Sequence, residues 1–170
     1  MPLLNDFDAL APQLGPLGDA LRARGWRMAT AESCTGGLIA ALCTSVAGSS
    51  DWFDRGFVTY SNAAKTAQLG VSAELIEAHG AVSQPVALAM AQGALRHSLA
   101  QLAVAVTGVA GPGGGTPDKP VGTVWLAWAV QAPGQLLQCQ ARLLHLAGDR
   151  TAVRSQTVQQ ALAALLLAAS

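Results

Sequence analysis

Apolar residues near the N-terminus recur at helical spacing. They stand three or four positions apart, which places them on one helical face, at Phe7, Leu10, Leu14, Leu17 and Leu21. Two prolines and a glycine interrupt this pattern, and we expect them to split it into two helices, at Pro12, Gly15 and Pro16. Gly25 is expected to cap the second helix at its C-terminal end.

Five runs of apolar and β-branched residues predict strands, and helices fill most of the segments between them. The strands are predicted at residues 26–31, 55–60, 102–107, 121–130 and 135–144. Helices are predicted from residue 38 to about 45, from a cap at 61–62 to about 70, over 74–79, and from Ser83, with Pro85 in the first turn, to about 95. Asp149 is expected to cap a final helix.

The last three strands reveal how the sheet is connected. Residues 102–107 are apolar on both faces, which indicates a central strand. The loop over 108–120 is rich in glycine and proline and leaves no room for a crossover helix, so the strand at 121–130 is expected to run antiparallel to its predecessor. The strand at 135–144 alternates apolar with polar residues, so one of its faces meets water and it lies toward an edge.

This order of elements predicts an α/β fold. We expect a single-domain three-layer α/β/α sandwich with a mixed, mainly parallel sheet of about five strands. The 170 residues fit one domain, so residues 1–170 are taken as one unit.

The composition is apolar and poor in charge. Residues of the set AVILMFWYC make up 51% of the chain and charged residues 12%, about half the ~25% that is usual for soluble domains. The chain nevertheless lacks an uninterrupted apolar run of the ~20 residues that would span a membrane. A sheet covered on both faces would explain the low charge, and the Leu/Ala-rich last helix also predicts a subunit interface and hence a homo-oligomer.

Charge and cysteine content exclude further classes. Ten basic residues balance ten acidic ones and are scattered, so nucleic-acid binding is not expected. Cys34, Cys43 and Cys139 form neither a CxxC pair nor a zinc-like spacing, so no metal site is predicted, and reduced thiols suit a cytoplasmic protein. Asp6 and Asp8, without a basic lead-in, do not resemble a signal peptide.

Unusual turns follow the first three strands, at the sheet edge where ligands bind in open α/β folds. They lie at 32–37, at 60–62 with Lys65 one helical turn later, and at 107–115. Two antiparallel steps return the chain to the same edge, so Arg150, at the start of the last helix, is expected to face this cleft.

Ser33 stands between a strand and a helix start, the position of an activated nucleophile near free backbone N–H groups. The competing interpretation is an N-cap serine followed by glycines for close packing, and the hexapeptide by itself favours this one. Cys34 is a rival nucleophile, although a buried structural thiol is the commoner role for such a residue.

A nucleophilic serine needs a base, and no histidine stands in these turns. His79, His97 and His145 lie elsewhere and are expected to be structural or exposed. A desolvated Lys65 with a lowered pKa could accept the Ser33 proton, directly or through Tyr60. The alternative is a solvated lysine on a helix surface.

The glycine loop and Arg150 are both candidates for anion binding. Backbone N–H groups of residues 111–115 suit a phosphate, although the loop is not a Walker A motif and could be only a turn. Arg150 could clamp a phosphate or, with Asp149 and Arg154 nearby, form a plain surface ion pair.

Several motifs in one order resemble a known family. They are AESCTGG at 31–37, YSN at 60–62 with Lys65, GAVS at 80–83, TGVAGPGG at 107–114 and KPVGTV at 119–124. Over nearly the whole chain the sequence resembles the CinA C-terminal-domain family, whose enzymatic members are nicotinamide mononucleotide deamidases. Some members also carry a larger N-terminal domain resembling molybdopterin-binding proteins; since this chain starts at Met1 without room for it, that domain's activity is not expected.

The resemblance implies hydrolysis of nicotinamide mononucleotide to nicotinate mononucleotide and ammonia, a step of pyridine-nucleotide recycling that needs no cofactor. It implies Ser33 as nucleophile with Tyr60 and Lys65 moving protons, and an oxyanion held by N–H groups near residues 34–35 or 108. The implied substrate contacts are Cys34, Thr35, Gly36, Asn62, Thr107, Gly108, Gly111, Gly113, Gly114 and Arg150.

Two further expectations stand beside this one. Arg55 replaces a glycine that the family often has before the second strand, and its charge could reshape the approach to Tyr60. The main alternative function is a catalytically inactive nucleotide-binding module, and a purely structural or partner-binding domain is a third.

Overall fold

Five strands form one mixed sheet with the spatial order β2-β1-β3-β4-β5. The computed structural model describes residues 7–170. The strands are β1 Met28–Glu32, β2 Phe53–Val58, β3 Leu102–Gly108, β4 Thr123–Val130 and β5 Gln138–His145. The helices are α1 Leu14–Arg24, α2 Leu38–Cys43, α3 Asn62–Leu69, α4 Ala73–His79, α5 Gln84–Arg96 and α6 Arg150–Ala169.

The pairing within the sheet follows the connections between strands. β1 runs parallel to both β2 and β3, and helices make the crossovers. β3–β4 and β4–β5 are antiparallel, as the short loops predict, so four of the five strands point the same way. The predicted α/β fold with a five-stranded mixed sheet is confirmed.

The central strands have two different apolar faces. On β3 the larger side chains Leu102, Val104 and Val106 pack against α1, α2 and α6, while Ala103 and Ala105 face α3, α4 and α5. Both sets are fully buried. Small residues on the second face let helices approach closely; on α5 even a Cβ at Gly93 would collide with the carbonyl oxygen of Leu69 on α3.

Burial on both faces accounts for the low charge of the chain. All five residues of β1 are buried, whereas five of the eight residues of β5 are exposed, as expected of an edge strand. No helix within residues 7–170 is long and apolar enough to cross a membrane.

Most apolar residues of the last helix pack against other elements of the same chain. Asp149 caps it by accepting a hydrogen bond from Ala152 N at 2.9 Å, as predicted. Val153, Val158, Leu162 and Leu165 are buried against the sheet and α1, whereas Leu167 is exposed. Coverage of the sheet therefore explains much of the Leu/Ala-rich composition that the sequence assigned to a subunit interface.

The first predicted helix is interrupted at one position instead of three. A 3-10 helix at Ala11–Gln13 contains Pro12 and separates the helical residues before it from α1. Gly15 and Pro16 instead lie inside the first turn of α1, because proline is tolerated there, where its missing N–H would have no helical partner.

Candidate active site

The turns after β1, β2 and β3 and the first turn of α6 meet around one cavity of about 240 Å³. Most predicted site residues line it: Ser33, Cys34, Tyr60, Asn62, Lys65, Thr107, Gly108 and Arg150. Ala81, Val82 and Ala110 also line it, and the sequence did not single them out.

Ser33 and Lys65 lie in direct contact at the floor of this cavity. The Lys65 Nζ atom is 3.1 Å from Ser33 Oγ and donates a hydrogen bond to the Thr59 carbonyl oxygen at 2.8 Å. Ser33 is 9% exposed and Lys65 only 1% exposed. The surface-lysine interpretation is therefore wrong, because α3 turns this side chain inward beneath the turn after β1.

Burial also changes the acid–base properties of Lys65. Loss of solvation lowers the pKa of its ammonium below the ordinary value of 10.5, and the nearby Cys34 thiol opposes this only in part. Among the described residues no carboxylate forms an ion pair with Lys65. Burial thus increases the fraction of Lys65 in the neutral form that a general base requires.

Cys34 has the opposite character. Burial raises the pKa of its thiol to about 11, and the negative charge of Glu32 adds to this effect. A thiol with such a pKa is almost entirely protonated near neutral pH, so it is a poor nucleophile. This favours the structural interpretation of Cys34 over that of a rival to Ser33.

The helix after Ser33 is capped by Glu32 and not by Ser33. The N-cap residue of α2 is Gly37, in left-handed conformation at φ 97°, and it has no side chain to offer. The Glu32 carboxylate instead accepts hydrogen bonds from the N–H groups of Gly37, Ile39 and Ala40 at 3.0, 3.0 and 2.8 Å. The capping interpretation of Ser33 is therefore wrong, and its hydroxyl is free to meet Lys65.

Tyr60 and Arg150 form the exposed side of the cavity. Arg150 donates from Nη2 to Tyr60 Oη and from Nη1 to the Gly111 carbonyl oxygen, both at 2.9 Å. Asp149 is occupied in capping α6, and among the described residues no ion pair holds Arg150. Its guanidinium therefore brings an uncompensated positive charge to the cavity.

Other predicted contacts lie near the cavity without lining it. Thr35 Oγ1 donates to Glu32 at 2.6 Å, and its carbonyl oxygen accepts a hydrogen bond from Arg154 at 3.0 Å, beside Gly36. Gly113 and Gly114 are exposed on the loop after β3. Thr107, which does line the cavity, donates its hydroxyl hydrogen to the Ala81 carbonyl oxygen at 2.9 Å.

The remaining candidates lie outside this site. His79, His97 and His145 are exposed and do not line the cavity. Arg55 donates hydrogen bonds to Asp54 at 2.7 Å and to the His97 carbonyl oxygen at 3.1 Å, and it does not line the cavity. Within residues 7–170 no three His, Cys, Asp or Glu side chains are grouped to hold a metal ion.

A buried serine–lysine contact lies at the carboxyl edge of a mixed sheet, beside an arginine without a carboxylate partner among the described residues, and defines the class as an α/β protein with a polar pocket at its strand ends. A family model described as CinA C-terminal domain matches residues 13–168. The chain belongs to the CinA C-terminal domain family.

Curated relatives of two lengths are similar to this chain. The nicotinamide-nucleotide amidohydrolase PncC of Escherichia coli K12 is 52% identical over 149 residues, 88% of each chain. PncC of Pseudomonas putida is 56% identical over 150 residues, 88% of this chain and 91% of that one. A CinA-like protein of Syntrophobacter fumaroxidans is 62% identical over 111 residues, 65% of this chain but only 26% of its own length.

Solved structures share the fold over nearly the whole length. The competence damage-inducible protein A of Klebsiella pneumoniae superposes with a TM-score of 0.86 at 41% identity, covering 92% of this chain and 94% of that one. The competence/damage inducible protein CihA of Agrobacterium tumefaciens gives 0.83 at 47% identity, covering 95% and 94%.

Proposed function

We propose that this protein is a nicotinamide-nucleotide amidohydrolase, which converts nicotinamide mononucleotide and water to nicotinate mononucleotide and ammonia. The observation that carries this proposal is the contact of 3.1 Å between Lys65 Nζ and Ser33 Oγ. Relatives named for this activity, with more than 50% identity over 88% of the chain, support it. In this proposal the whole chain, residues 1–170, is one amidohydrolase domain.

In the first half-reaction Ser33 Oγ attacks the carboxamide carbon while neutral Lys65 accepts the hydroxyl proton. The tetrahedral intermediate then collapses, the C–N bond breaks, and the proton on Lys65 leaves with the amine as ammonia. The direct contact favours Lys65 acting without a relay, which leaves Tyr60 to assist on the exposed side of the leaving group.

The oxyanion requires N–H donors that are not already used. Ser33 N donates to the Val106 carbonyl oxygen, Gly36 N to that of Ser33, and Gly37 N to Glu32. The amide of Cys34 lies beside its own thiol, and that of Thr35 donates to none of these acceptors; we assign both to the oxyanion. In the second half-reaction water gives a proton to Lys65 and attacks the acyl carbon, and Lys65 returns that proton to Ser33 Oγ.

Arg150 is proposed to bind the phosphate of the substrate. Its guanidinium lines the cavity, has no carboxylate partner among the described residues, and can present two parallel donors to a phosphate. The N-terminus of α2 is a poorer candidate because Glu32 already occupies its amides. The other lining residues, among them Asn62, Thr107 and Gly108, are proposed to contact the ribose and ring.

The decisive experiment measures ammonia release from nicotinamide mononucleotide by the purified protein and its Ser33→Ala variant. We expect turnover by the wild type and a loss of about 1,000-fold or more in kcat for the variant, since a nucleophile cannot be replaced by a methyl group. Nicotinate mononucleotide should appear in equal amount to ammonia. No turnover by the wild type, or full turnover by Ser33→Ala, would contradict the proposal.

The inactive nucleotide-binding module is the second candidate. It predicts saturable binding of the mononucleotide in calorimetry without any ammonia release. The lowered pKa of Lys65 beside Ser33 argues against it, because a site that only binds has no need of a desolvated amine.

The proposal also includes a cytoplasmic location and a homo-oligomeric state. Free thiols at Cys34, Cys43 and Cys139 suit a cytoplasmic enzyme. Self-association stays a prediction, and sedimentation at micromolar concentration should give a mass above 17.3 kDa. A strictly monomeric mass would contradict it.

A further inference from the structure

The proposed mechanism assigns no step to Glu32, although this residue stands directly before Ser33. It is the last residue of β1 and is 0% exposed. Its Oε2 atom accepts from Thr35 Oγ1, Gly37 N and Ile39 N at 2.6, 3.0 and 3.0 Å. Its Oε1 atom accepts from Ala40 N at 2.8 Å and Thr30 Oγ1 at 3.3 Å.

Such a buried charge is costly unless every acceptor position is filled, and here five donors converge on it. A helix N-terminus ordinarily needs only one short side chain at the N-cap position. This carboxylate instead reaches forward from the strand to amides five, seven and eight residues later. It therefore closes a ring of bonds around the turn that carries Ser33.

The backbone on either side of Ser33 is fixed as well. Ser33 N donates to the Val106 carbonyl oxygen on β3, and Thr59 N donates to that of Glu32. Thr59 also supplies the carbonyl oxygen that holds Lys65 Nζ. The nucleophile turn and the proposed base are thus both attached to Thr59, and the carboxylate sets how the turn leaves the strand.

We propose that Glu32 is the positioning residue of the nucleophile: its carboxylate holds residues 33–40 so that Ser33 Oγ stays within reach of Lys65 Nζ. This inference rests on the proposed role of Ser33 as nucleophile. The same carboxylate acts as an internal anion at the start of α2 and keeps substrate phosphate away from that helix. Phosphate is thereby left to Arg150, which lines the cavity.

The test measures Ser33 reactivity without the substrate. An aryl sulfonyl fluoride is added to the protein; Ser33 Oγ bonds to sulfur, fluoride leaves, and the hydroxyl proton passes to Lys65. Mass spectrometry follows both the rate constant and the final fraction of labelled molecules. The variants are Glu32→Ala and Glu32→Gln, and the matched control is Glu74→Ala, an exposed glutamate in the first turn of α4.

For Glu32→Ala we expect a labelling rate constant about 100-fold lower, the effect of displacing a reacting group by about 1 Å. Formate should raise it again, since a free carboxylate can occupy the vacated amides. For Glu32→Gln we expect a labelling rate constant about tenfold lower. The glutamine amide oxygen is a weaker acceptor than a charged carboxylate oxygen, and its NH₂ group would face N–H donors. Glu74→Ala should have the labelling rate constant of the wild type, and formate should not change it.

If Glu32→Ala fails to fold, the labelling experiment is made with Glu32→Gln. Ammonia release and mononucleotide binding are then measured on the same variant. A positioning role predicts a lower kcat with nearly unchanged Kd. A role limited to folding would lower only the final labelled fraction and leave the rate constant unchanged, and that result overturns the inference.

The two proposals fail in different ways. If the wild type is labelled at Ser33 but releases no ammonia, nicotinamide mononucleotide is not the substrate. A lower labelling rate constant in Glu32→Gln would still support the inference about Glu32. A wild type that is neither labelled at Ser33 nor releases ammonia would overturn both. Wild-type labelling rates in both Glu32 variants would overturn this inference and leave the amidohydrolase intact.

Discussion

The two sides of the cavity differ in how firmly the fold holds them. On the inner side Ser33 and Lys65 are 9% and 1% exposed, and hydrogen bonds to neighbouring strands fix them. On the outer side Tyr60 is 61% exposed, and a single side-chain bond to Arg150 holds its hydroxyl. The pair that must react needs a fixed distance and a low dielectric constant, whereas groups that capture a charged substrate must face water.

Beside the loss already expected for Ser33→Ala, the largest effect should come from changing the inner side at Lys65. For Lys65→Met we expect kcat to fall about 1,000-fold, within the range for loss of a general base. Relief from a buried amine should also raise the free energy of unfolding at neutral pH by roughly 1 kcal/mol. Ammonia assays and urea denaturation measure the two effects.

The matched control is Lys119→Met, since Lys119 is the only other lysine of the chain and its ammonium binds the exposed His79 carbonyl oxygen. It should leave kcat within twofold of the wild type. Equal losses in both variants would show that Lys65 has no special role.

The second prediction concerns pH and acts on the inner side alone. Only neutral Lys65 can accept the serine proton, so kcat/KM should rise about tenfold per pH unit and level off above the pKa of Lys65 in the folded protein. That pKa lies below 10.5. A pH–rate profile measures it, and a rate independent of pH below neutrality would contradict the assignment.

Stability should change with pH in the adjoining window, between the folded-state pKa of Lys65 and 10.5. The folded-state pKa of Lys65 is depressed, so the unfolded chain binds the proton more tightly between that pKa and 10.5. The contribution of Lys65 to stability is therefore lowest below the folded pKa and increases as pH rises toward 10.5. The difference in unfolding free energy between wild type and Lys65→Met should shrink over this range.

On the outer side, Arg150→Ala should weaken substrate capture more than chemistry. Loss of a charged hydrogen bond to phosphate is expected to raise KM about 10- to 100-fold with a smaller change in kcat. With nicotinamide riboside, which lacks the phosphate, kcat/KM should be nearly the same for Arg150→Ala and the wild type. Arg142→Ala, on the edge strand β5, is the control; a large loss with the riboside would contradict the phosphate role.

The smallest expected effect is that of Tyr60→Phe. Removing one hydroxyl from an exposed ring costs about one ordinary hydrogen bond, so kcat/KM should fall about fivefold. Steady-state kinetics on the mononucleotide measures this. If kcat/KM fell as far as in Lys65→Met, Tyr60 would have to act in the chemical step. The two sides of the cavity would then not differ in function.

Much of the fold could be predicted because its signals are local. The doubly apolar stretch at 102–107 predicted a central strand, and the loop at 108–120 predicted an antiparallel neighbour, as observed. Strand limits shifted by at most three residues. For example, β2 spans Phe53–Val58 where 55–60 was predicted, because the pairing with β1 and not composition decides where a ladder ends.

The site could be predicted only as a set of turns. Sequence placed Ser33, Tyr60, Lys65 and Arg150 at one edge, and all four line one cavity. It missed Glu32 as the cap of α2, because a glutamate at a strand end ordinarily reaches solvent. A possible signal was the pair Gly36-Gly37, which leaves the helix start without a capping side chain of its own.

The sequence by itself determined the layers of the sandwich, the strand ends that bear polar turns and the family to which the chain belongs. These follow from periodicity and contiguous motifs, which act over a few residues. Only the tertiary structure decided that Lys65 reaches Ser33, 32 positions away, and that Arg150 reaches Tyr60, 90 positions away. The physical reason is that side-chain direction and desolvation, which set the reactivity of this pair, depend on packing between elements distant in the chain.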